Sequence, residues 1–149
     1  MKIEVLGNRV TMALSDVADP AVGRAIAAPL VQYNESQAGP SGSKALVIEL
    51  RQADGAVIGG LWGATAYEWL YVQWLAVPES LRGQGVGRRI MLMAEAEAVA
   101  RGCHSAWLDT FEFQARGFYE KLGYTCFGSL DGYPKGFSRF FMRKDGLKR

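Results

Sequence analysis

The hexapeptide Arg82-Gly83-Gln84-Gly85-Val86-Gly87 joins an apolar run, Leu70 to Val77, to a stretch rich in Ala, Met and Glu. The run reads as a buried strand that Pro78 must end, because proline has no N–H for a ladder. The stretch Arg88 to Arg101 holds no proline and reads as a helix. A glycine-rich turn leading into a helix is an anion site. Free N–H groups point outward there, and the helix dipole adds about half a positive charge. Arg82, Arg88 and Arg89 bring full charges to the same place. Positive charge at a helix start is unfavourable without an anion. The chemistry these residues suit is the holding of a phosphorylated ligand.

The elements that must position this turn follow from the pattern. Lys2 to Leu6 and Arg9 to Leu14 read as short strands joined at Gly7-Asn8. Ser15, Asp16 or Asp19-Pro20 starts a helix or helix pair over Ala21 to Gln37, interrupted near Pro29. Lys44 to Arg51, Ala56 to Thr65 and Glu68 to Val77 make an antiparallel meander, and Gly59, Gly60 and Gly63 suggest a bulge or close backbone approach. Beyond the helix, His104 to Thr110 is a strand and Gln114 to Leu122 a helix that Gly123 ends. Tyr124 to Gly128 and Phe137 to Arg143 close the order as strands, with residues 143–149 expected to fray. The whole is α/β with a mixed sheet.

Composition narrows the class. At 149 residues the chain suits a single domain, 1–149. It is 49% hydrophobic and 21% charged, with no run long enough to span a bilayer. The first residues alternate like a strand and lack the apolar core of a signal peptide, so a cytoplasmic location is expected. A net charge of +2 without a basic, aromatic-interleaved stripe argues against nucleic acid. Cys103 and Cys126 have no metal-ligand spacing and read as buried thiols, and no metal is expected. The four tryptophans fall in strands, where core is the default.

A P-loop would need a lysine after its last glycine, which is missing here. A dinucleotide fingerprint fails because Arg88 occupies the third glycine position, although Asp109 mimics the ribose-binding acid. The order strand, Leu75-Ala76-Val77-Pro78, Arg82-x-x-Gly85-x-Gly87, helix, strand, Phe118-Tyr119-x-x-x-Gly123-Tyr124 instead resembles the GNAT superfamily of N-acetyltransferases. The resemblance covers roughly Ala45 to Arg143. The segments from Leu108 to Tyr124 and from Asp131 to Phe141 look like a small bacterial subgroup with uncharacterised acceptors, in which a histidine is expected where Phe137 stands.

That resemblance implies a mostly antiparallel central sheet flanked by helices, acetyl-CoA as co-substrate, and a primary amine of a small molecule or peptide as acceptor. The pyrophosphate would lie on Arg82, Gly83, Gln84, Gly85, Val86, Gly87 and Arg88, and the pantetheine arm along Leu75, Ala76 and Val77. An oxyanion would meet a backbone N–H near Ala76. Tyr119 matches the family's tyrosine that donates to the departing sulfur, through a hydrogen bond or with a depressed pKa. Phe118 and Leu122 read as core. In many relatives a carboxylate before the glycine loop takes the amine proton, but that strand offers Tyr71 and Gln73, leaving Glu68, Asp109 and Glu112, or ordered water held by backbone carbonyls, as candidates. His104 reads as a helix-end or surface residue. Tyr33, Asn34, Gln37 and Tyr133 flank the variable segments and are placed at the acceptor by analogy alone. A homodimer, formed through late strands, completes the expectation. A catalytically weak acyl-CoA sensor is the alternative, followed by a dinucleotide-binding protein.

Overall fold

A computed structural model describes residues 2–148, which form two compact units divided between Ser41 and Gly42. The first holds β1 (Ile3–Leu6) and β2 (Val10–Ala13), an antiparallel pair, and α1 (Pro20–Ala38). Asp19 caps α1 by accepting from the Ala21 N–H at 2.8 Å, with Pro20 in the first turn. The helix is continuous through Pro29, against the expected interruption. Nineteen residues give enough flanking hydrogen bonds for one to be lost without ending the helix.

The second unit is a six-stranded sheet in the order β3-β4-β5-β6-β8-β7. Its strands are β3 (Lys44–Arg51), β4 (Val57–Ala66), β5 (Trp69–Ala76), β6 (Ser105–Phe111), β7 (Thr125–Asp131) and β8 (Ser138–Asp145). Every pairing is antiparallel except β5 with β6, which the crossover helix α2 (Val86–Ala100) makes parallel. A short α3 (Arg116–Lys121) links β6 to β7. The core lies on one sheet face, where Leu70, Val72 and Leu108 meet Ile90, Met91 and Ala94 of α2. Beside it, buried Glu95 takes Lys144 Nζ at 2.6 Å and Tyr124 Oη at 3.2 Å, so its charge is both paired and hydrogen-bonded.

Two expectations are corrected. Residues 143–145 belong to β8, and the Leu147 N–H donates to the His104 carbonyl at 2.8 Å while its side chain packs on the core. The tail is therefore held through residue 147, and residue 149 lies outside the described residues. Trp62 and Trp74 are not core: they are 50% and 62% exposed, and pair with each other across β4 and β5. Strand alternation sends them to the face away from the core. Cys103 is buried as expected, whereas Cys126 is half-buried on β7.

The sheet departs from regularity where it matters. Trp62 opposes Trp74 and Gly63 opposes Val72, so Gln73 is an extra residue bulged out of β5. The bulge shifts the alternation by one: Leu70 and Val72 are buried before it, and Leu75 turns toward the core after it. Gly63 makes this possible, since a Cβ there would lie on the Tyr71 carbonyl. Gly63→Ala is expected to cost about 2 kcal/mol or more, read as a lower urea midpoint at unchanged slope.

Candidate active site

Beside the bulge, β5 and β6 part. They pair only from Trp69 with Ser105 to Val72 with Leu108, although β5 runs on to Ala76 and β6 to Phe111. On its β6 side the backbone from Gln73 to Ala76 is unpaired, while β4 still holds the other side. The result is a cleft of about 1170 Å³ that passes between the strands. Residues of both sheet faces line it: Leu108, Thr110 and Tyr119 from the core side, Tyr71, Asp109 and Phe111 from the other.

The glycine turn forms one end. Gly83 and Gly85 adopt left-handed conformations, φ 74° at each, which only glycine takes without strain. Gly85 is the N-cap of α2, and no side chain caps that helix. The first N–H groups of α2 thus remain for a ligand. Arg82, Gly83, Gly85, Val86, Gly87 and Arg88 line the cleft, with Leu75, Ala76 and Val77. Gln84 does not, and its Nε2 instead donates to the Ser80 carbonyl at 3.2 Å. Arg82 Nε donates to the Val77 carbonyl at 3.3 Å, tying the loop to the strand end. Phe118, expected as core alone, also lines the cleft and packs where a Gly87 side chain would stand.

Tyr119 sits midway. It is the buried residue of α3, its ring set edge-on to Phe118 and Tyr124 at 5.0 and 6.0 Å. Its Oη makes no protein hydrogen bond among the described residues. Burial, reinforced by the Asp109 carboxylate, pushes its pKa up to about 12. The depressed-pKa option is thereby overturned, because an apolar surrounding and a nearby anion both disfavour tyrosinate. Tyr119 therefore stays protonated at neutral pH.

Of the carboxylate candidates, Asp109 alone lies in the cleft. Arg139 Nε and Nη2 both donate to its Oδ1, at 2.9 and 2.6 Å, and no protein group donates to Oδ2 among the described residues. Arg139 had no signal in the sequence: it reaches Asp109 only because β8 lies beside β6. Glu68 lies in the β4–β5 turn outside the lining, its side chain 72% exposed and 3.7 Å from His104. It is remote because β5 must run from that turn to reach the cleft. Glu112 Oε2 accepts from the Ser138 N–H at 2.7 Å, pinning the β7–β8 loop. His104 is exposed, its Nδ1 2.8 Å from Ser105 Oγ. Tyr33, Asn34 and Gln37 are exposed on α1 in the first unit, whereas Tyr133 stacks on Phe111 beside the cleft at 5.9 Å.

A splayed parallel pair, a glycine turn at a helix start and a buried tyrosine donor fit a long thioester carrying a pyrophosphate. The comparisons with known proteins agree. Residues 17–124, spanning both units, match the model of the acetyltransferase (GNAT) family. The acetyltransferase Atu2258 of Agrobacterium fabrum is 45% identical over 135 residues, 91% of this chain and 98% of that protein. Blasticidin-S acetyltransferase of Streptomyces morookaense is 38% identical over 92 residues, 61% of this chain and 68% of that one. A crystal structure of an acetyltransferase from Bacillus cereus superposes with a TM-score of 0.75 at 29% identity, covering 89% of this chain and 97% of that one. The chain belongs to the GNAT family, and it is an acetyltransferase that moves the acetyl group of acetyl-CoA to an amine.

Proposed function

We propose that the cleft acetylates a primary amine of a small molecule or peptide by direct attack, with Tyr119 assisting departure of the thiolate. The observation that carries this is the opening of β5 from β6 beside a protonated, otherwise unpartnered Tyr119. The pyrophosphate lies on the start of α2 with Gly83, Gly85 and Arg88, and Arg82 steadies the turn. The pantetheine amides pair with the free edge of β5 at Leu75, Ala76 and Val77, as an added strand would. When bound, acetyl-CoA supplies the electrophilic carbonyl.

The acceptor enters from the Asp109 side. Its ammonium gives up a proton to Asp109 Oδ2 directly or through water, and the neutral nitrogen attacks the carbonyl carbon. The C–N bond forms, and a backbone N–H near Ala76 meets the oxyanion. On collapse the C–S bond breaks and the sulfur draws on the Tyr119 hydroxyl. Full transfer from pKa about 12 to a thiol near 8.5 is uphill by about 5 kcal/mol, so Tyr119 acts as a hydrogen-bond donor. The extra proton that nitrogen still carries in the adduct passes to the departing thiolate, giving the amide and CoA thiol, and Asp109 returns its proton to solvent.

The small-molecule choice is supported by the blasticidin-S acetyltransferase similarity. A cytoplasmic setting suits two free cysteines, and no helix among the described residues is long and apolar enough to cross a membrane. The net charge of +2 speaks against nucleic acid. A homodimer formed through the late strands, β7 and β8, is part of this reading.

Three measurements test this reading. Acetyl-CoA and CoA at a hundred times their Kd should raise Tm by several degrees, and NAD should not. Tyr119→Phe should lower kcat about a hundredfold at unchanged CoA affinity; an unchanged kcat removes Tyr119 from the mechanism. Stability should also depend on pH. Folded Tyr119 keeps its proton to about pH 12 and the unfolded chain loses it near pH 10, so stability falls as pH rises through that window. Tyr119→Phe should flatten that fall in urea titrations. Tyr124, raised by burial and by Glu95, leaves a residual slope of the same sign.

A further inference from the structure

The acceptor side of the cleft opens onto aromatic rings that the transfer chemistry does not use. Phe111 stacks on Phe113 at 5.3 Å and on Tyr133 at 5.9 Å, while Phe113 meets Phe137 edge-on at 5.0 Å. Three of these four are exposed: Phe113 56%, Tyr133 47% and Phe137 43%. A contiguous aromatic patch open to water is costly and marks a contact surface. It is continuous with the transfer cleft, since Phe111 and Phe113 are both lining residues.

The patch is also held rigid. The Arg139 guanidinium lies 5.3 Å from the Phe111 ring centre and 4.9 Å from that of Tyr133, while its charge is already met by Asp109. Glu112 and Asp131 both bind Ser138, fixing the loop that carries Tyr133 and Phe137. Phe137, which stands where the subgroup resemblance placed a histidine, adds ring area in place of a titratable group. Nothing in this arrangement asks for a second charge on the ligand. The exposed faces ask for a flat apolar surface.

Spacing sets the remaining dimension. Asp109 and Phe111 are consecutive residues on one face of β6, about 6.6 Å apart along the strand. A nitrogen at Asp109 and a ring that reaches the near edge of the Phe111–Phe113 stack are then separated by a short linker. Resting on the acetyltransferase reading above, we infer that the acceptor is a primary amine joined by a short linker to an aromatic or heteroaromatic ring, which packs on the exposed faces of Phe113 and Phe137. Phe113 is thus a specificity residue, and it takes no part in bond making.

The test pairs amines of matched size with the intact protein: 2-phenylethylamine and tryptamine against 2-cyclohexylethylamine, hexylamine and spermidine. Thiol release gives kcat/KM, and calorimetry in the presence of CoA gives amine Kd independently of turnover. The aromatic amines should exceed their saturated partners by about fivefold or more in either readout. Phe113→Leu, which keeps apolar volume but removes the ring, should erase that preference with CoA affinity unchanged, and Phe137→Leu should weaken it. Equal use of all the amines, or a preference untouched by both variants, overturns the inference while the acetyltransferase reading stands. Ring-dependent binding without thiol release supports the inference and counts against turnover. Loss of a dimer in Phe113→Leu, seen by light scattering with amine preference unchanged, would assign the patch to a second copy and overturn it as well.

Discussion

The parting of β5 from β6 is the constraint on which the rest of the site depends. Two parallel strands that stayed paired would leave no backbone for a ligand and no path through the sheet. They part because Gln73 is one residue too many for the β4 ladder, and a bulge bends the strand that carries it. Gly63, opposite Val72, has no side chain to obstruct the distorted strand. The free edge of β5, the entry to the glycine turn and the view of Asp109 from the core side all follow from that local mismatch.

Around the opening, each group gains its property from the environment that the fold supplies. Tyr119 is an ordinary phenol in sequence; its burial on α3 and a neighbouring carboxylate keep it protonated well above neutral pH. Tyr71 feels the same two influences in the same direction, and stacks on Trp107 at 4.2 Å. Asp109 is fixed by Arg139 through one oxygen alone, so its orientation is set while the other oxygen stays available. The arginine is in turn bedded on aromatic rings, which link the electrostatics of the cleft to its apolar mouth.

The cleft is lined from both faces of the sheet: Leu108, Thr110 and Tyr119 on the core side, Tyr71, Asp109 and Phe111 on the other. On the proposed mechanism this division gives the reaction a direction, with the thioester and Tyr119 on one side of the reacting carbon and the amine and Asp109 on the other. A sheet with both faces sealed cannot do this. The buried Glu95, Lys144 and Tyr124 group closes the core behind Tyr119, giving its ring a firm edge to rest on.

The sequence by itself determined the meander, the crossover helix and the glycine turn, and its family resemblance singled out Tyr119 as a candidate. Those features are local: apolar runs, proline and glycine punctuation, and short motifs act over a few neighbouring residues. It also located the disturbance at Gly59 to Gly63, since glycines inside a strand have few other reasons to be there. Only tertiary structure separated Asp109 from Glu68 and Glu112, because strand order, not sequence distance, brings Arg139 to one carboxylate and Ser138 to another. It alone turned Trp62 and Trp74 outward and brought Tyr133 and Phe137 beside Phe111 and Phe113. Pairing across strands is a long-range choice, made by the sheet as a whole when it buries one face and leaves the other open.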